Sequence, residues 1–76
     1  MEDLFSVALN VNNEPVKYHV VFDHEAYIFM EASGEHDHPV FSFRRGHDEW
    51  QDQQPAPPEL RAQALEALER YLLKQH

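Results

Sequence analysis

The sequence predicts an α+β fold: a four-stranded antiparallel meander with one C-terminal helix packed on one face. Three observations lead to this prediction. Apolar and polar residues alternate in the first half of the chain, which is the two-residue period of a half-buried strand. Turn-forming segments separate the alternating runs. Only residues 58–74 show the apolar spacing of an amphipathic helix instead.

The first two predicted strands, at 4–11 and 16–23, form a hairpin. Large apolar residues fall at every second position of each run, so each strand has one apolar face. These faces consist of Phe5, Val7, Leu9 and Val11 in the first strand and of Val16, Tyr18, Val20 and Phe22 in the second. The segment NNEP at 12–15 favours a turn, because asparagine tolerates left-handed backbone angles and proline fixes φ.

Two further strands complete the predicted sheet, which extends over residues 4–45. The segment 26–33 carries apolar residues on both faces, which is typical of a central strand. The segment 40–45 is a short fourth strand with Phe41 and Phe43 on one face. A polar loop joins these two strands.

Residues 46–57 predict a linker, and residues 58–74 predict the helix. Three prolines at 55–58 disfavour regular structure where the linker ends, whereas Pro58 suits the first helical turn. Alanine, leucine, glutamate, arginine and glutamine dominate the helical segment, and all are good helix formers. An isolated helix of this length is marginal in water, so its leucine stripe is expected to pack on the sheet.

Length and composition limit the classes of protein that this chain can represent. Seventy-six residues make one small domain, and 42% apolar residues suffice for one core. The chain has no cysteine, which excludes disulfides, thiol catalysis and cysteine zinc sites. A sheet with one helix is also expected to enclose little volume for a ligand pocket. We therefore expect no cofactor.

The charge of the chain bears on its partners and its location. The formal net charge of −8 repels phosphate backbones and anionic membranes, so we expect no nucleic-acid or membrane partner. The first residues carry acids where a signal peptide carries bases. No apolar run approaches the roughly 20 residues of a membrane span. The expected location is the cytoplasm.

The polar stretch at 34–52 contains the candidate metal ligands His36, His38 and His47. His36 and His38 share one side of an extended segment, and His47 would complete a three-ligand set across a hairpin. Imidazole is a suitable zinc ligand, and an open fourth position would suit catalysis. The competing interpretation is that these are solvated loop histidines, because their spacing matches no closed zinc motif.

The same stretch contains the candidate protein-binding residues Arg44, Arg45 and Trp50. The two arginines end a strand and are expected to point to opposite sides. One of them is expected either to pair with nearby acids or to stack on Trp50. Trp50 is an anchor under the linker or a binding residue, since tryptophan and arginine are enriched in the most important positions of protein interfaces.

Three functional hypotheses follow. The first is a small, non-catalytic, cytoplasmic protein-interaction domain that associates with itself, because one helix covers only one sheet face and edge strands have unpaired backbone groups. The second is a metal- or small-ligand-binding domain that uses the loop histidines. The third is a small hydrolytic or isomerising enzyme with a histidine base, which the lack of a nucleophile elbow or a glycine-rich phosphate loop disfavours.

Overall fold

A computed structural model describes residues 1–32 and 38–74 and shows a five-stranded antiparallel sheet followed by one helix. The strands neighbour one another in chain order. The elements are β1 (Glu2–Val11), β2 (Glu14–Asp23), β3 (Ala26–Glu31), β4 (Phe41–Arg45), β5 (Trp50–Gln54) and α1 (Pro58–Lys74). The predicted α+β class, antiparallel sheet and C-terminal helix are confirmed, and the helix has the predicted bounds.

The prediction of four strands is wrong by one, because part of the expected 46–57 linker forms β5. The sequence of β5, WQDQQ, shows no alternation of apolar and polar residues, and four of its five residues are exposed in the structure. A register shift opposite Ser42 and Phe43 also interrupts its two-residue period. Backbone pairing with β4 holds this strand in place. The prolines that disfavour regular structure come only after its last residue. At the other end of the sheet, β1 begins at Glu2 rather than at residue 4.

Two tight hairpin turns connect the first three strands. Asn12 and Asn13 have φ of 51° and 67°, and His24 and Glu25 have φ of 50° and 65°. Two successive left-handed residues are the geometry of the type I′ turn, whose twist matches that of the flanking strands. Asparagine accepts this geometry readily, but histidine and glutamate pay a steric cost there.

The core lies between the helix and the predicted apolar faces of the strands. An aromatic cluster at its centre is completely or almost completely buried. In this cluster Phe29 and Phe41 stack with ring centroids 5.1 Å apart. The buried residues of this core are Leu9, Val16, Tyr18, Val20, Phe29, Phe41, Phe43, Leu60, Ala64 and Leu68. The leucine stripe of α1 therefore packs on one sheet face, as predicted.

The helix also contacts the strands at both edges of the sheet. The side-chain amide of Gln63 accepts a hydrogen bond from the backbone N–H of Asn10 at 2.8 Å and donates one to its carbonyl at 3.0 Å. On the opposite edge, the Arg61 guanidinium donates to Asp52 of β5 at 3.0 Å. The sheet must curl around α1 for one helix to reach both edges, and Gln63 blocks part of the free edge of β1.

Leu68→Ala tests the packing of α1 on the sheet. Leu68 is fully buried, so we expect a loss of about 2–5 kcal/mol in the free energy of unfolding, measured by chemical denaturation. Leu73→Ala is the matched control, since Leu73 is 74% exposed and should change stability by no more than about 0.5 kcal/mol. Equal effects of the two substitutions would contradict this packing.

The double substitution H24N/E25G tests the strain in the second turn. Asparagine followed by glycine suits two left-handed positions, so we expect a gain of about 1 kcal/mol in the free energy of unfolding. The exposed ion pair of Glu25 with Arg44 is lost, but such pairs contribute little. Asn13→Gly is the control in the first turn and should give a smaller gain. A loss of stability in the double variant would show that the turn is not strained.

Candidate functional site

An open cleft lies between the loop that joins β4 to β5 and the last turns of α1. It has a volume of about 490 Å³ and is lined by residues 45–50 of the hairpin and by Glu69, Leu72 and Leu73 of the helix. This volume exceeds what the sequence led us to expect, because the hairpin that contains β5 was not predicted. We call it the hairpin–helix cleft.

Arg45 and Trp50 form the wall of the cleft on the hairpin side. They pair across the antiparallel register of β4 and β5, and the guanidinium carbon lies 5.9 Å from the centroid of the tryptophan ring. This is a cation–π geometry. On its other side, Trp50 packs edge-on against Tyr27 with ring centroids 5.6 Å apart. Trp50 is therefore anchored by the core side of the sheet and also lines the cleft.

Gly46 allows the hairpin to close tightly beside this pair. Its backbone N–H donates to the carbonyl oxygen of Glu49 at 2.7 Å. A Cβ atom at this position would lie only 2.8 Å from the same carbonyl oxygen, so a side chain does not fit without movement of the backbone. The close approach at Gly46 thus holds Arg45 and Trp50 at the entrance of the cleft.

The helix wall of the cleft combines apolar and acidic groups. Leu73 is 74% exposed, whereas the other leucines of the helix are buried or partly buried. Glu69 lies beside it, and Asp48 and Glu49 line the hairpin side. The negative end of the helix dipole lies at this end of α1. The cleft therefore combines two leucines with an excess of negative charge.

The predicted site residues fall on different surfaces. Arg45 and Trp50 meet in the cleft, whereas Arg44 extends to the opposite sheet face, where it donates to Glu25 at 2.9 Å. The prediction that the arginines point to opposite sides is consistent with these contacts. Sequence reasoning missed Leu73, although a leucine that directly follows Leu72 lies about 100° further around the helix and so off the apolar stripe, which is a visible signal.

The three predicted metal ligands are not assembled into a site by the described residues. His36 lies outside these residues. The Nδ1 atom of His38 lies 2.9 Å from Glu31, whereas His47 lines the hairpin–helix cleft. In residues 1–32 and 38–74 no group of three or more histidine, aspartate or glutamate side chains is placed to hold a metal ion. Metal binding through His36, His38 and His47 stays a prediction.

Buried groups hold the chain near His38. The Tyr18 hydroxyl donates to the carbonyl of Pro39 at 2.9 Å. Burial raises the pKa of Tyr18 above its ordinary value of 10.0, and the nearby Glu31 carboxylate raises it further. The ion pair of Glu31 with His38 and the bond from Tyr18 fix the entrance to β4 at the end opposite the hairpin–helix cleft.

A serine–histidine–aspartate chain lies on the sheet face opposite the helix. His19 contacts Ser6 through Nδ1 at 3.3 Å and Asp3 through Nε2 at 3.1 Å. In a serine hydrolase the aspartate is buried and a pocket adjoins the serine. Here Asp3 is 78% exposed, and these residues line neither the hairpin–helix cleft nor the shallow recess beside Asp23, Ala26 and Ser42. The three side chains therefore form a hydrogen-bond network on the surface of the sheet.

Comparison of the chain with protein-family models, curated proteins and solved structures gives no match. Within the described part of the chain, no helix is long and apolar enough to cross a membrane. Functional inference therefore depends on the geometry of the molecule itself.

Gly46→Ala tests the close approach that shapes the cleft. We expect a loss of about 1–3 kcal/mol in the free energy of unfolding, because the added methyl group must displace the backbone at Glu49. The emission of Trp50, the only tryptophan of the chain, should also shift. Gln53→Ala is the control, since Gln53 is exposed in the same hairpin. An unchanged stability and spectrum in Gly46→Ala would contradict the tight closure.

The raised pKa of Tyr18 predicts a loss of stability in alkaline solution. The folded state keeps this proton after the unfolded state has lost it, so the contribution is complete below pH 10.0 and falls as the pH rises through the folded pKa. Denaturation on either side of pH 10.0 measures the effect. Tyr18→Phe should weaken the alkaline loss, whereas Tyr71→Phe should retain it. An identical pH dependence in both variants would contradict the assignment.

Proposed function

We propose that this chain is a small, non-catalytic protein-interaction domain that binds its partner in the hairpin–helix cleft. The observation that carries the proposal is the exposure of Leu73 in the same open cleft as the anchored Arg45–Trp50 pair. Tryptophan and arginine are enriched at the energetically important positions of protein interfaces, and exposed apolar surface next to such a pair is typical of a protein-binding site.

The charges of the cleft support one kind of occupant. Asp48, Glu49 and Glu69 outnumber Arg45, and the helix dipole adds negative potential at this end of α1. Apolar groups of a partner would cover Leu72 and Leu73, and its basic groups would meet the carboxylates. We therefore propose that the occupant is a basic, apolar segment of another protein.

The same charges disfavour other occupants. A second copy of the chain would bring another net charge of −8 to an acidic cleft. Phosphate backbones and anionic lipids would be repelled for the same reason, which favours a protein as the partner. A small cationic ligand is an alternative occupant, since a cleft of about 490 Å³ has the volume of a ligand pocket.

Binding of designed peptides tests this proposal, with Trp50 emission as the reporter. Three peptides of equal length and equal leucine content carry lysine, serine or glutamate at their remaining positions. We expect the leucine–lysine peptide to shift the emission in a saturable way and to bind about tenfold more tightly than the serine peptide. The glutamate peptide should not bind. Similar affinities for all three peptides would refute the charge argument.

Substitutions locate the binding site within the molecule. Leu73→Ser should weaken binding of the leucine–lysine peptide by about tenfold, because the partner loses its apolar contact. Val40→Ser is the matched control, since Val40 is 42% exposed and lies outside the cleft. If both variants bound like the parent, the cleft would not be the binding surface. Binding of free lysine alone, with no preference for the peptide, would favour the small-ligand alternative.

A further inference from the structure

The sheet face opposite α1 has its own apolar strip. Strand alternation places Val21, Ile28 and Met30 on this face, together with Val40 just before β4. Val40 is 42% exposed, and Ile28 and Met30 are partly exposed. Val21 is buried beside them and offers no accessible surface, so we call Ile28, Met30 and Val40 the open-face strip.

One end of this strip is recessed. Ala26 and Ser42 are small and buried, and with Ile28 they form the floor of a shallow recess of about 380 Å³. Met30 lies two residues beyond Ile28 on the same strand, at the end away from the recess. Along β3, therefore, this face runs from the recess at Ala26 to the flexible, partly exposed side chain of Met30.

The charges of this face vary along the same direction. Lys17 lies at the Met30 end of β2, and none of the described ion pairs involves it. Asp23 and the turn residue Glu25 lie at the recess end. The strand residues of this face include two bases, Lys17 and Arg44, and two acids, Asp3 and Asp23. The acidic excess of the chain therefore lies elsewhere, and two copies can approach here without strong repulsion.

We propose that a second copy of this chain binds on the open-face strip and forms a two-fold symmetric dimer. The two-fold axis lies in the plane between the two sheets, passes Ile28 and runs at right angles to the strands. It places Met30 of each copy over the recess above Ala26 of the other. The same rotation places Lys17 of each copy opposite Glu25 of its partner. The face is thus complementary to itself in both shape and charge.

The dimer is expected to be weak. The largest extents of the molecule are 32 and 23 Å, so one face offers less than the ~800 Å² per partner of a standard interface. We expect a monomer–dimer equilibrium that is visible in sedimentation between micromolar and millimolar concentration. This dimer leaves the hairpin–helix cleft open, so it does not depend on the function proposed above.

Charge reversal with rescue tests the dimer. Lys17→Glu should weaken dimerisation by about tenfold, because two pairs of like charges then face each other. The double variant K17E/E25K restores opposite charges across the interface and should recover most of the affinity. Lys17 and Glu25 are both exposed, and the Arg44–Glu25 ion pair that E25K breaks is exposed as well, so these substitutions should leave the monomer folded. Equal weakening in the single and double variants would overturn the proposed symmetry.

Met30→Asp tests the apolar contact independently, because it brings a carboxylate to a recess rimmed by Asp23. We expect a loss of dimer of about tenfold or more. Leu73→Ser is the matched control and should dimerise like the parent, although it weakens peptide binding in the cleft. A single 9.0 kDa species at millimolar concentration would overturn the proposal, and so would a dimer that Leu73→Ser disrupts and Lys17→Glu does not.

Discussion

Burial of one stripe of α1 in the curled sheet is the interaction on which the rest of the structure depends. Leu60, Ala64 and Leu68 lie one helical turn apart and fill the centre of an aromatic core. A chain of this size hides a smaller share of its surface than larger domains do, so this one layer of contact supplies much of its stability. The positions of the hairpin–helix cleft and of the open-face strip both follow from this packing of α1 on the sheet.

The same helix determines which parts of the sheet are available to partners. Gln63 pairs with both backbone groups of Asn10 and so occupies the position that another strand would take at the edge of β1. Arg61 ties the start of α1 to β5. The last turns of α1 then stand beside the β4–β5 hairpin, where they form the second wall of the cleft. The placement of α1 therefore both protects the edge of β1 and forms the hairpin–helix cleft.

The two candidate surfaces differ in the chemistry that would recognise them. The hairpin–helix cleft joins exposed leucine and anchored tryptophan to an excess of carboxylates, which suits a basic and apolar partner. The open-face strip is nearly neutral along its strands and is stepped in shape, which suits a second copy. Because they lie on opposite sides of the sheet, substitutions in one surface serve as controls for the other.

The sequence alone determined the helix bounds, the antiparallel order of the first four strands and the core faces of the first, second and fourth strands, because local periodicity shows which side chains must leave water. The third strand is apolar on both faces, so its core face was left to the tertiary structure. It also separated Arg44 from Arg45 by strand alternation. Tertiary structure decided the existence of β5, whose polar residues carry no periodic signal and which is held by backbone pairing with β4. It also decided that Arg45 and Trp50 line the same cleft as Leu73. This arrangement brings distant parts of the chain together and depends on how the helix crosses a curled sheet.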